Sequence, residues 1–266
     1  MLDKEINAAG GIRKKGVTRG VYLLPNLLTS ASLFGGFYSI VASLDGKFEV
    51  AAIAILISAV LDGLDGRIAR LTGTTSKFGM EYDSLSDLVA FGLAPAMLIF
   101  TWALRPFGRY GWLAAFLYVV CGALRLARFN VQITTIESRR FNGLPIPAAA
   151  TLVASTVLLF HYFSHVEMTK HLTILIIVYT LAFLMVSNVK YYSFKELNLS
   201  RRMPFRLLVG LIFLFLLVAA EPPLMIFLLT FGYVVSGPVG MLFEMRKSIF
   251  RAAKRDYKEE GHDHKA

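Results

Sequence analysis

One cysteine, Cys121, stands in 266 residues, and it lies inside an apolar run. No intrachain disulfide can form, and no cysteine-based zinc site can be built. Charge is scarce as well. Asp, Glu, Lys and Arg make up 17% of the chain, against roughly 25% in an ordinary globular domain. Acids are the scarcer sign, 18 against 28 Lys and Arg. Apolar residues fill 56% of the chain, and the mean hydropathy is +0.59. Disulfide-rich secreted, disordered and collagen-like classes are excluded, and a soluble fold is argued against. A chain both this apolar and this basic, with formal net charge +10 and pI near 9.7, needs a solvent that separates the two properties. A bilayer does so. Missing too are an internal repeat of the transporter kind and any polar stretch long enough to fold alone.

A span needs about 20 mostly apolar residues. Eight stretches qualify: 21–44, 48–70, 81–104, 110–130, 146–165, 171–189, 204–220 and 223–243. The expectation is an all-α polytopic membrane bundle of about eight transmembrane helices. A basic head (1–20) precedes the integral membrane domain (21–243), and a basic tail (244–266) follows it. The first apolar run is longer than the ~7–15 residues of a signal-peptide core, so it reads as a retained span. With the N-terminus cytoplasmic, 24 of the 28 Lys and Arg fall on the cytoplasmic side, leaving Lys47, Arg105, Arg109 and Lys170 outside. An even number of spans makes the C-terminus cytoplasmic too. The head and tail read as topological anchors that also lean on anionic membrane lipids. Located this way, the basic residues imply no nucleic-acid partner. His262 and His264 read as part of an exposed tail rather than as metal ligands.

Acids inside apolar segments carry the most information. Asp62 and Asp65 are three residues apart on the second span, and Asp83 and Asp87 are four apart on the third. Each pair occupies one helical face, and the loop 71–79 brings the two pairs to similar depth. Ionised carboxylates on membrane helices are costly and usually mark function. Arg67 and Arg70 offset only part of their charge. Converging carboxylates suit hard divalent cations, Mg²⁺, Mn²⁺ or Ca²⁺, rather than zinc, and two such ions serve phosphoryl displacement. An Asp–Arg network locking two helices is the structural alternative. Gly63 reads as a small residue for helix packing, and Gly66 as a place where a ligand approaches the backbone. A cation transporter would need an acidic path across the membrane, but the later spans offer only Glu221 and Glu244 at their ends.

The string Asp62-x2-Asp65-Gly66-x2-Ala69-Arg70-x8-Gly79-x3-Asp83-x3-Asp87 resembles the full signature of the CDP-alcohol phosphotransferase family. The resemblance implies attack by an alcohol on the β-phosphorus of a CDP-linked lipid, with release of CMP. It implies a two-metal site at Asp62, Asp65 and Asp83, with Asp87 as general base, also close to the second metal. It implies Gly66 and Arg70 at the nucleotide and pyrophosphate, with Ser76 and Gly79 beside them. Asn26 and Thr29, in Leu24-Pro-Asn-Leu-Leu-Thr, match the first-helix segment that meets the CDP moiety.

Leu24–Phe37, Arg125-Leu-Ala-Arg-Phe-Asn130, Phe141–Pro147 and Ser193-Phe-Lys195 resemble the membrane-embedded branch that joins CDP-diacylglycerol to L-serine. That branch implies a homodimer, and the orientation given by Lys and Arg puts the site at the cytoplasmic face of the cell membrane. Arg125 and Arg128, i and i+3, are spaced to hold a carboxylate or phosphate, and Asn130 and Asn142 can add hydrogen bonds. The same arginines also suit topological anchoring or lipid phosphate. Glu81 could meet an ammonium or be solvated, and Lys190 and Lys195 are weaker candidates. Choline, inositol phosphate or glycerol phosphate as acceptor would keep the chemistry and change only this pocket.

Overall fold

The computed structural model describes residues 23–74, 76–133, 140–163, 172–192 and 205–263. The basic head 1–20, the 193–195 stretch with Lys195, and His264 lie outside the described residues. Among those described there are eight helices, one for each expected segment. They are α1 (Leu23–Leu44), α2 (Phe48–Thr72), α3 (Lys77–Phe107), α4 (Arg109–Ile133), α5 (Ile146–Tyr162), α6 (Leu172–Val186), α7 (Phe205–Ala220) and α8 (Pro222–Asp263). Not all-α throughout, the chain also forms a short antiparallel pair, β1 (Arg140–Asn142) with β2 (Lys190–Tyr192), in the register Arg140↔Tyr192. Gly143 turns the chain out of β1 at φ 82°, and its N–H donates to the Val189 carbonyl at 2.8 Å.

Among the described residues, four helices are long and apolar enough to cross a membrane: α1, α3, α4 and the first part of α8. This is fewer than the eight expected, for two physical reasons. The 25-residue α2 has the length, but Asp62, Asp65, Arg67 and Arg70 dilute its apolar character. The apolar α5, α6 and α7 have 17, 15 and 16 described residues. At 1.5 Å per residue these rise about 22–26 Å, short of a hydrocarbon core of about 30 Å. Past Glu244 the last helix does not stop; it continues to Asp263, taking in His262.

Small residues set the packing around α1. The hydroxyls of Ser32 and Ser58 each donate to the other's backbone carbonyl, at 3.1 and 3.0 Å, joining α1 to α2. A Cβ at Gly36 would lie 2.5 Å from the Cα of Ala90 on α3, so the two backbones approach as closely as glycine permits. Leu88–Leu93 and Phe100–Leu104 within α3 are π-helical, and Pro95 lies between them. Pro95 has no N–H to give the Phe91 carbonyl one turn back. The buried Tyr118 hydroxyl of α4 donates to that carbonyl at 3.3 Å. Phe91, Leu98, Leu104, Ile146 and Met185 belong to the same core cluster as Tyr118 and are all fully buried.

Two substitutions test this packing by thermal unfolding in detergent. Gly36→Ala must displace the Ala90 backbone and should cost about 1–3 kcal/mol, the range for overpacking. Tyr118→Phe should cost about 1 kcal/mol for one lost hydrogen bond. A melting temperature unchanged in Gly36→Ala would overturn the close α1–α3 contact.

Candidate active site

The turn between α2 and α3 follows from local chemistry. Gly73 adopts the left-handed conformation, φ 63°, that ends a helix, and Thr74 N–H returns to the Ala69 carbonyl at 3.0 Å. Ser76 then caps α3: its Oγ accepts from Gly79 N–H at 3.0 Å. The reversal brings the acid-bearing faces together. Carboxylate oxygens of Asp62, Asp83 and Asp87 lie within 4.8 Å of one another, all three residues half-buried. Asp87 meets Asp62 in hydrogen-bonding contact and is within electrostatic reach of Asp83 and Asp65.

Asp65 belongs to the same acidic surface but stands apart from the tight trio. It is 5% exposed, and Thr29 Oγ1 donates to its Oδ2 at 2.7 Å. Thr29 is itself fixed from both sides. Its hydroxyl lies 3.0 Å from the Pro25 carbonyl, and its own carbonyl accepts from Ser86 Oγ at 3.0 Å. Ser30 and Tyr82 share a second α1–α3 hydrogen bond at 2.8 Å.

Beside the acids opens a cleft lined by Asn26, Thr29, Asp65, Gly66, Ser76, Gly79 and Asp83, with Pro25, Ala69, Thr74 and Met80. The structure thus gathers every expected nucleotide-side residue except Arg70. That side chain is exposed, and its Nε donates to the Gly66 carbonyl at 2.9 Å. A Cβ at Gly66 meets nothing within 4 Å, so no packing accounts for glycine there. Gly63 behaves the same way. The packing role expected for Gly63 is therefore corrected: among the described residues no neighbouring helix reaches it. Thr74, 5% exposed, is a lining residue that the motif spacing does not reveal.

The expected acceptor residues divide. Arg125 approaches the acids, within electrostatic reach of Asp87 and of Tyr233 on α8, and its buried Nε has no hydrogen-bond partner. Arg128 is turned toward the end of α6, where Nη2 donates to Asn188 Oδ1 at 2.8 Å. Asn130 donates to Ser84 Oγ at 2.9 Å, which fixes α4 beside the Asp83 turn of α3. Glu81 is exposed, as is Lys190, whose backbone pairs with that of Asn142. Tyr233, Asn188 and Ser84 escape sequence reasoning because each gains its place only through tertiary contact.

The donor set fits a divalent cation. Three carboxylates, acceptor-only when ionised, converge at ligand spacing, and hard oxygen donors are what Mg²⁺ and Mn²⁺ take. The acidic cluster and the cleft beside it both fall within residues 22–186, which match the family described as CDP-alcohol phosphatidyltransferase. The CDP-diacylglycerol–serine O-phosphatidyltransferase of Helicobacter pylori (strain ATCC 700392 / 26695) is 41% identical over 88% of this chain and 97% of its own length. The archaetidylserine synthase of Methanothermobacter thermautotrophicus is 39% identical over 63% of this chain and 69% of its own. The CDP-diacylglycerol–serine O-phosphatidyltransferase of Mycobacterium leprae is 41% identical over 49% and 45%.

Adding Mn²⁺ to the metal-free protein should raise its melting temperature by binding linkage, and Asp83→Asn should abolish that rise. An equal rise in the variant would remove Asp83 from the cation site. By the span of the match and the identity to these relatives, the chain belongs to the CDP-alcohol phosphatidyltransferase family.

Proposed function

We propose that this enzyme transfers the phosphatidyl group of CDP-diacylglycerol to L-serine, giving phosphatidylserine and CMP. The observation that carries the reading is the acidic trio Asp62, Asp83 and Asp87 beside the Asn26–Thr29–Gly66–Gly79 cleft. The acceptor comes from the relatives, both the bacterial ones and the archaeal one being named for serine products or substrates. The cleft takes the cytidine diphosphate. There Gly66 and Gly79 leave the backbone open to the ligand, and Asn26, Thr74 and Ser76 offer polar contacts. Arg70 offers a planar donor fork to the pyrophosphate once it leaves the Gly66 carbonyl.

Asp62, Asp65, Asp83 and Asp87 would hold two divalent cations, Mg²⁺ or Mn²⁺, which when bound neutralise charge on the pyrophosphate. Asp87 takes the proton from the serine hydroxyl as that oxygen bonds to the β-phosphorus, since a neutral hydroxyl is a poor nucleophile near pH 7. The bond to the bridging oxygen breaks, and CMP leaves with its electron pair. Thr29 holds Asp65 in place from α1, while Asn130 holds α3 through Ser84. Arg125 faces the acceptor side, and Arg128 secures the loop after α6 behind it.

The reading also places the enzyme in the cell membrane as a homodimer of eight-span chains. Both termini and the site then face the cytoplasm, where serine and divalent ions are found. The positive-inside distribution supports this orientation.

The test is CMP release by purified protein in detergent with CDP-diacylglycerol and Mn²⁺ or Mg²⁺. Serine, choline, inositol phosphate and glycerol 3-phosphate are offered separately. Release with serine alone is expected, and Asp87→Asn should lower it by at least about 10²-fold, the scale of a lost general base. Release with another alcohol alone would overturn the acceptor assignment, and an active Asp87→Asn would overturn the role of Asp87.

A further inference from the structure

The C-terminal helix lies beyond the family-matched residues, yet its Tyr233 is within electrostatic reach of Arg125, which in turn is within reach of Asp87. The contact is built around Tyr191 of β2, which is 1% exposed. Its ring occupies the space a side chain at position 237 would need, since a Cβ on Gly237 would fall 2.3 Å from the ring Cζ. Its hydroxyl donates to the Val234 carbonyl at 3.0 Å. The Tyr233 ring lies 5.6 Å from that of Tyr191, tilted by 44°. α8 is thereby held at one height and one rotation, with Tyr233 half-buried within electrostatic reach of the Arg125 guanidinium.

Arg125 in turn lies within electrostatic reach of Asp87. A guanidinium buried with an unmatched Nε is costly, and an arriving anion would satisfy it. A phenol beside it can accept from the guanidinium and donate to the same anion, which orients the fork and adds a neutral donor. An alcohol bound with its hydroxyl at Asp87 would direct its carboxylate to this pair. We propose that Tyr233 is a positioning residue that holds Arg125 for the acceptor's carboxylate, so that the last helix sets preference for an amino-acid alcohol. The inference rests on the serine reading above.

Purified full-length protein is assayed for CMP release with CDP-diacylglycerol and Mn²⁺, using serine or ethanolamine, which is serine without its carboxylate. Tyr233→Phe should raise the serine KM about tenfold, the scale of one hydrogen bond to a charged group. The kcat, the KM for CDP-diacylglycerol and the melting temperature should stay near wild type, and the preference for serine over ethanolamine should narrow. Tyr191→Phe, which loses the bond to Val234, is the structural control: it should lower the melting temperature and shift both KM values together. A serine KM unmoved by Tyr233→Phe would overturn the inference alone, as would a variant behaving like the structural control. Wild-type protein inactive with serine would overturn both the serine reading and the inference.

Discussion

Asp62, Asp65, Asp83 and Asp87 repel one another, and the helices that carry them must be held together against that repulsion. Two unit charges 4 Å apart at an effective dielectric of about 20 cost about 4 kcal/mol. The restraint comes from α1, which carries no charge over Leu23–Leu44. Its Thr29 hydroxyl engages Asp65 on α2 while the Thr29 carbonyl takes Ser86 of α3, so one residue ties both acid-bearing helices. One turn on, the Ser32–Ser58 exchange and the glycine contact at Ala90 close the same three helices without any ionic partner. The repulsion that remains is of the kind a divalent cation relieves, and the donor set fits one.

The third helix meets a second demand. It must present Asp83 and Asp87 on one face, then pack against α1, α4 and α5 along a sequence that contains Gly92 and Pro95. Two π-helical stretches absorb the mismatch in rotation, the first beginning at the residue after Asp87. The cost of Pro95 in a buried helix is met from outside by the hydroxyl of Tyr118. The regular helix that bears the acids ends where the widened helix that fits the core begins.

Much of this is written in short-range spacing. Acids at i, i+3 and i, i+4 either side of a Gly–Ser turn must face each other once the chain reverses, and they do. Asn26, Thr29, Gly66, Ser76 and Gly79 line one cleft because each lies within about one turn of that hairpin or directly opposite it. Spacing says less about partners that arrive from afar. Arg128 has the geometry of an anion ligand in sequence, but Asn188, sixty residues away, takes its Nη2. Gly63 fits the pattern of a packing glycine, yet among the described residues nothing lies within 4 Å of a Cβ built there, and only tertiary structure distinguishes it from Gly36. Each of the eight expected segments is a helix, but among the described residues only four are long and apolar enough to cross a membrane. The charged residues of α2 lower its apolar signal, and the described parts of α5, α6 and α7 are shorter than their apolar runs. Tyr233 gave no signal, since one tyrosine in an apolar helix looks like any other aromatic.

The seating of Tyr191 against Gly237 has a consequence for how the molecule is made. Chains emerge N-terminus first, so the helices carrying the four acids and the nucleotide cleft are complete while more than half of the polypeptide is still unsynthesised. α8 comes last, and only its arrival gives Tyr191 a notch to fill and brings Tyr233 toward Arg125. On the proposed reading, the donor side is thus assembled early and the acceptor side only once α8 is made, so a nascent chain would be competent to hold a nucleotide before it could choose what to join to it.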